Sequence, residues 1–146
     1  MISEMLKKNI MFVDEVDSWE EAIKKSCEPL LNNGCVSLSY VDAIIENVKT
    51  NGSYFVLLPE IALPHARHEH GAIKKGVSCT VLNKRVMFPN DKPVKVLIAI
   101  SSDGDDGHLE MLSEIGSVLM EDELVEKLKN ATTVQEISSI FSNNKF

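Results

Sequence analysis

Apolar residues recur at two different periods along this chain, and the change of period divides it into elements. From residue 18 to residue 52 the period is helical. Ser18-Trp19-Glu20-Glu21 forms a capping-box pattern, followed by Ala22, Ile23, Cys27, Leu30 and Leu31 at the spacing of one helix face, with Asn32-Asn33-Gly34 as the stop. A second helix is expected from Ser39, with Asp42 in its first turn. Val41, Ile44, Ile45 and Val48 form its stripe, and Asn51-Gly52 ends it. Short apolar runs then replace the stripes. Residues 54–58 and 61–63 read as strands closed by Pro59 and Pro64.

Residues 77–82 and 86–88 are β-rich and are expected to pair with each other across Asn83-Lys84-Arg85, with a further turn at Asp91-Lys92-Pro93. Residues 94–101 are almost continuously apolar, as in a central strand covered on both faces. The polar loop 101–107 is rich in helix-capping residue types. Leu109, Leu112, Ile115, Val118 and Leu119 then mark a helix, and two short helices are expected near 122–128 and 133–141. Thr133 and Glu136 offer the last one a capping box. Helices on either side of short strands predict an α/β fold, a three-layer sandwich with a central mixed β-sheet flanked by helices, in one domain over residues 1–146.

Composition narrows the function classes. The 146 residues carry 15 Lys+Arg against 22 Asp+Glu, a formal charge of -7, which disfavours nucleic acid and anionic membrane surfaces as partners. No apolar stretch approaches the ~20 residues of a membrane span, and the N-terminus lacks a signal-peptide core, so direct membrane insertion is not expected. Three cysteines (Cys27, Cys35, Cys79) without CxxC spacing fit a reducing cytoplasm. They read as buried small apolar residues.

Candidate chemistry gathers on histidine. Three of the four lie in Leu63-Pro64-His65-Ala66-Arg67-His68-Glu69-His70, and the fourth, His108, follows the loop after the best strand. In an extended segment His65 and Arg67 share a face, which sets an imidazole beside a guanidinium. A neutral imidazole is a good nucleophile, and a guanidinium holds phosphate oxygens through its fork of donors. His108 stands near a helix start at the C-terminal side of a central strand, where anions and ligands of open α/β sheets collect. If His65 and His108 converge, the site suits a phosphoryl group held on the protein itself. No Gly-rich nucleotide loop is present and no cofactor is expected. Taken alone, each histidine also fits an ordinary loop or helix-start residue. A second chemistry is metal binding by His65, His68 and His70 with Glu69 or Cys79, although Arg67 within the cluster opposes a cation. Ser101, Ser102, Asp103 and Asp105 supply triad and calcium-loop residue types without the framing glycines of either motif, so they read as a capping loop.

Ile61-Ala62-Leu63-Pro64-His65, with His108-Leu109-Glu110-Met111-Leu112 after the strand Val96-Leu97-Ile98-Ala99-Ile100, resembles the IIA components of the bacterial phosphoenolpyruvate-dependent sugar phosphotransferase system, in the mannitol/fructose superfamily. The resemblance covers essentially the whole chain. Gly52-Ser53-Tyr54-Phe55-Val56-Leu57 and the Pro-His-Ala-Arg stretch look most like the ascorbate-type branch. The resemblance implies that His65 accepts a phosphoryl group from the carrier protein HPr and passes it to a IIB component, the membrane IIC component acting only downstream. It implies that His108 bonds the phosphoryl or His65 and that Arg67 clamps it. It equally accommodates a regulatory IIA-like module that controls a transcription regulator or transporter by its phosphorylation state. The sequence departs from the pattern at Glu60, where glycine is common and where a carboxylate could orient His65 or repel a phosphoryl. It also departs at His68, often proline in the ascorbate-like branch. Lys49, sixteen residues before His65, occupies the place of a phosphate-facing arginine in other branches, and no such role is expected of it; His68 and His70 read as solvated loop residues next to Gly71. Docking is expected on an apolar rim including Leu63 and Ile73.

Overall fold

The computed structural model describes residues 2–142, the side chains of residues 105–108 excepted. In chain order the elements are α1 (Ile2–Leu6), β1 (Ile10–Val13), α2 (Trp19–Asn32), α3 (Leu38–Asn51), β2 (Val56–Leu58), β3 (Glu60–Ala62), a 3-10 turn (His68–His70), β4 (Gly76–Phe88), β5 (Lys92–Ser101), α4 (Asp105–Leu119), α5 (Asp122–Lys129) and α6 (Val134–Ser142). The strands form one mixed sheet in the order β1-β4-β5-β3-β2. β1 runs parallel to β4 and β3 parallel to β5, whereas β4–β5 and β2–β3 are antiparallel.

Strand β5 explains the three layers. Side chains alternate across a strand, and here Leu97 and Ala99 join the core beneath α2 and α3. Val96, Ile98 and Ile100 join the core shared with α1, α4, α5 and α6. Both faces are therefore apolar, as the continuous run in the sequence requires. The two capping boxes form. The Glu21 backbone N–H donates to Ser18 Oγ, and the Glu21 carboxylate accepts from the Asp17 N–H rather than from the cap residue itself. Thr133 and Glu136 bond reciprocally.

One expectation fails. Residues 77–82 and 86–88 do not pair with each other. They belong to the single strand β4, and the hairpin partner is β5, reached through Pro89-Asn90-Asp91 with Asn90 and Asp91 left-handed. Asn83-Lys84-Arg85 is a bulge, since Val81 pairs with Val96 and Val86 with Val94, leaving residues 82–85 opposite Lys95 alone. Lys95 Nζ donates to the Leu82 carbonyl across the gap, and the bulge is tied to the chain after β1 by Lys84 N–H to the Asp14 carbonyl and by Asn83 to the Asp14 carboxylate. The N-terminal α1 and edge strand β1, which the apolar pattern did not separate, complete the fold.

Candidate functional site

Because β3 and β5 run parallel, the segments that leave them emerge at one end of the sheet. The Ile100 N–H donates to the Pro64 carbonyl at 3.2 Å, and the Leu63 N–H donates to the Phe55 carbonyl at 3.0 Å. This places His65 beside the loop that opens α4. Pro64 is buried, and His65 is half-buried. The Tyr54 ring meets the imidazole nearly edge to face, centroids 6.0 Å apart, and Phe55 packs at 6.3 Å.

The imidazole has a defined polarity. His65 Nδ1 lies 2.6 Å from the Leu63 carbonyl oxygen. A carbonyl only accepts, so Nδ1 carries the proton and Nε2 the lone pair. The ring lines a cleft of about 350 Å3 shared with Asn47, Tyr54, Ala66, Arg67, His68, Glu69, Ser102 and Gly104. A larger groove of about 610 Å3 between α5 and α6 holds no histidine or cysteine, so the chemistry belongs to the smaller cleft.

Arg67 does share the cleft with His65, but its fork is occupied. Nε and Nη2 donate to the two Glu69 carboxylate oxygens at 3.2 and 3.4 Å, and this pairing holds the Glu69 carboxyl below its ordinary range. His68 lines the cleft and His70 is exposed. His108 stands in the first turn of α4, four residues after Gly104; its side chain lies outside the described residues. Lys49 sits on the exposed side of α3 near Glu46 at 3.7 Å, outside the cleft.

Glu60 does not orient His65. It opens β3 at the opposite end of the strand and reaches Arg85 Nε at 2.9 Å, which with Arg85's charge lowers its carboxyl pKa against the opposing effect of burial. Its φ of 73° accounts for the glycine common at this position. The apolar rim also needs correction, since Leu63 is 1% exposed and cannot dock a partner, whereas Ile73 is 58% exposed.

The metal reading loses its ligand set. Among the described residues no group of three His, Cys, Asp or Glu could hold a metal ion. Cys79 is sealed in the sheet core, where burial pushes its thiol up to about 12, and Cys27 is pushed equally far. Ser101 donates to the Lys74 carbonyl and Ser102 to the Gly104 carbonyl, as loop-fastening hydroxyls do.

The sequence pattern missed three residues. Tyr40, on α3, is 1% exposed and its hydroxyl donates to the Ile100 carbonyl at 2.7 Å while accepting the Ala66 N–H at 3.1 Å. Burial raises its pKa to about 12, keeping it a neutral phenol. Tyr54 donates to the His65 carbonyl at 3.2 Å, and Asn47 lines the cleft beside it. Asn47 and Tyr40 lie seven residues apart, hence on one face of α3. That spacing was the available signal.

Comparison with known proteins places the chain in a family. Residues 4–144 match the family described as phosphoenolpyruvate-dependent sugar phosphotransferase system, EIIA 2. The chain is 36% identical over 137 residues to a mannitol-specific cryptic phosphotransferase enzyme IIA component of Escherichia coli, covering 93% of each chain. It is 32% identical over 133 residues to an ascorbate-specific PTS system EIIA component of the same species, covering 89% of this chain and 86% of that one. The solution structure of an E. coli mannitol-specific cryptic enzyme IIA superposes with a TM-score of 0.92 at 35% identity, covering 97% of this chain and 98% of that one. The enzyme IIA of the E. coli mannitol system, solved in complex with phosphorylated enzyme IIB, superposes at 0.80 with 25% identity, over 93% and 95% of the chains. The family match over residues 4–144, with relatives and a fold shared over nearly the full length, makes the chain a member of the EIIA type 2 family, a protein-histidine phosphocarrier of the sugar phosphotransferase system.

Proposed function

We propose that His65 is the phosphoryl acceptor of this carrier and that the whole chain, 1–146, works as one cytoplasmic IIA domain between HPr and a IIB component. The observation that carries the assignment is the Nδ1 contact with Leu63. It leaves Nε2 as the nucleophile. Nε2 attacks the phosphorus of the donor's phosphohistidine, the donor P–N bond breaks, and a P–Nε2 bond forms. The proton stays on Nδ1, where the Leu63 carbonyl stabilises the positive charge that develops on the ring. Transfer onward is the same displacement run on the IIB nucleophile, and positioning supplies most of the catalysis.

In this reading Arg67 exchanges Glu69 for the phosphoryl oxygens. Its ion pair with Glu69 is exposed and screened by solvent, so a doubly charged phosphoryl competes readily. His108 would complete the cleft from the first turn of α4. The cognate IIB is of the mannitol or the ascorbate kind, the two sugars named among the relatives.

The test is transfer from radiolabelled phosphoenolpyruvate through enzyme I and HPr. Acid-labile, base-stable label is expected on the wild-type protein and none on His65→Ala. Label that persists in that variant removes the assignment. Chasing the labelled protein with purified mannitol-type and ascorbate-type IIB proteins then decides the acceptor.

A further inference from the structure

The carbonyl of His65 and the N–H of Ala66 belong to one peptide unit, and both ends of that unit are held by phenols. Tyr54, just ahead of β2, donates its hydroxyl hydrogen to the oxygen at 3.2 Å. Tyr40, on α3, accepts the N–H at 3.1 Å. The Tyr40 hydroxyl is itself fixed, since it donates to the Ile100 carbonyl, and Tyr54 lines the cleft together with Asn47. Tyr40 and Asn47 share a face of α3, so one helix supplies one phenol and lines the cleft beside the other. The arrangement discriminates orientation, because a flipped peptide would present its N–H to the Tyr54 donor and its oxygen to the Tyr40 lone pair.

Resting on the reading of His65 as phosphoryl acceptor, we propose that Tyr40 and Tyr54 act as positioning residues, a two-phenol clamp on the peptide after His65 that holds the imidazole in line for phosphoryl transfer. The chemistry requires such a brace. The ring must keep Nε2 aimed at phosphorus and Nδ1 on the Leu63 carbonyl while about two negative charges arrive and leave. The Pro64–Ala66 segment is not held on both sides by a β-ladder of its own, and Pro64 lacks an N–H, so the fixed points come from side chains. Tyr40 also joins Ala66 to the end of β5, so the clamp sets the His65 segment against the loop leading into α4. The Ala66 N–H, committed to Tyr40, is correspondingly withheld from the phosphoryl oxygens.

The experiment compares single-turnover phosphoryl uptake from phospho-HPr in wild type, Tyr54→Phe, Tyr40→Phe and His65→Ala, with 15N spectra of the imidazole. Tyr54 is 43% exposed, so Tyr54→Phe keeps the ring and the fold and removes only the hydroxyl. The expected result is uptake about tenfold slower at saturating donor with an unchanged KM, and an imidazole spectrum that passes from one Nδ1–H tautomer to a mixture. Tyr40→Phe is expected to slow uptake at least as much at temperatures well below its own melting point. Wild-type rates and a single tautomer in Tyr54→Phe overturn the clamp, as does a change confined to KM, which would mark a docking contact instead. Label surviving in His65→Ala overturns the acceptor assignment, and in that case the tautomer spectra alone still decide the clamp.

Discussion

Glu60 is the residue where local cost and local gain are easiest to separate. A non-glycine residue at φ 73° carries left-handed strain of ~1–2 kcal/mol. Against it stands the Arg85 guanidinium at 2.9 Å, with Lys129 and Lys95 adding further attraction. The sign of the pH effect follows. The carboxyl titrates below its ordinary value when folded, so its stabilisation is fully present above the unfolded carboxylate pKa and is lost as pH falls through the lower folded one. Glu60→Gln is expected to cost ~0.5–1 kcal/mol near pH 7 and to flatten the acid side of the stability curve. Urea melts of both proteins between pH 7 and pH 3 check this, and parallel curves would refute it. At this scale the spacing of His65 and Arg67 made legible that they share a cleft. The sequence hid the Glu60–Arg85 pair, because Arg85 reaches Glu60 from a bulge in a strand that is not the neighbour of β3. It hid Tyr54 and Asn47 because their place in the cleft depends on how α3 lies over the chain leaving β3.

Elements with one uninterrupted period were legible; those whose form depends on a partner were not. α2, α3 and β5 follow from stripe, cap and apolar run alone. β4 does not, since Asn83-Lys84-Arg85 has the composition of a turn and is extended only because Lys95 fills the gap opposite and residues 14–15 tie it down. α1 and β1 are too short for either period to declare itself, and both are stabilised by packing on β4 and the helices beyond. α4 was legible, yet it contains a glycine at 116 that its stripe does not require. A Cβ at Gly116 would meet nothing within 4 Å. Gly116→Ala is therefore expected to gain the helix propensity difference, ~0.5–1 kcal/mol, with phosphoryl transfer unchanged. Thermal melts read the gain. A loss of stability there would mean that α4 is not seated on the sheet as described.

Across the molecule, the His65 segment is fastened to three bodies: β5 through Pro64 and Ile100, α3 through Tyr40, and the entry to α3 through the turn that follows. At that last junction the Ser37 N–H donates to the Gly71 carbonyl at 2.9 Å, Ser39 Oγ donates to the His70 carbonyl at 3.0 Å, and Val36 and Ala72 form an isolated bridge. Gly71 has φ 129°, and a Cβ there would lie 2.6 Å from Ser39 Oγ and 2.9 Å from the Tyr40 backbone nitrogen. The hydroxyl can rotate aside, but the helix backbone cannot. Gly71→Ala must therefore push the 68–70 turn away from α3 or shift the start of α3, and either movement displaces Tyr40 relative to Ala66. Strain and displacement together are expected to cost ~2–4 kcal/mol, with phosphoryl uptake slowed in the molecules that remain folded. Gly34→Ala is the matched control, left-handed at φ 72° with nothing within 4 Å. It should cost only the ~1–2 kcal/mol of strain and leave uptake intact. Calorimetry with the uptake assay separates the two variants, and equal losses in both would show that the turn after His65 is not what couples α3 to the phosphoryl site.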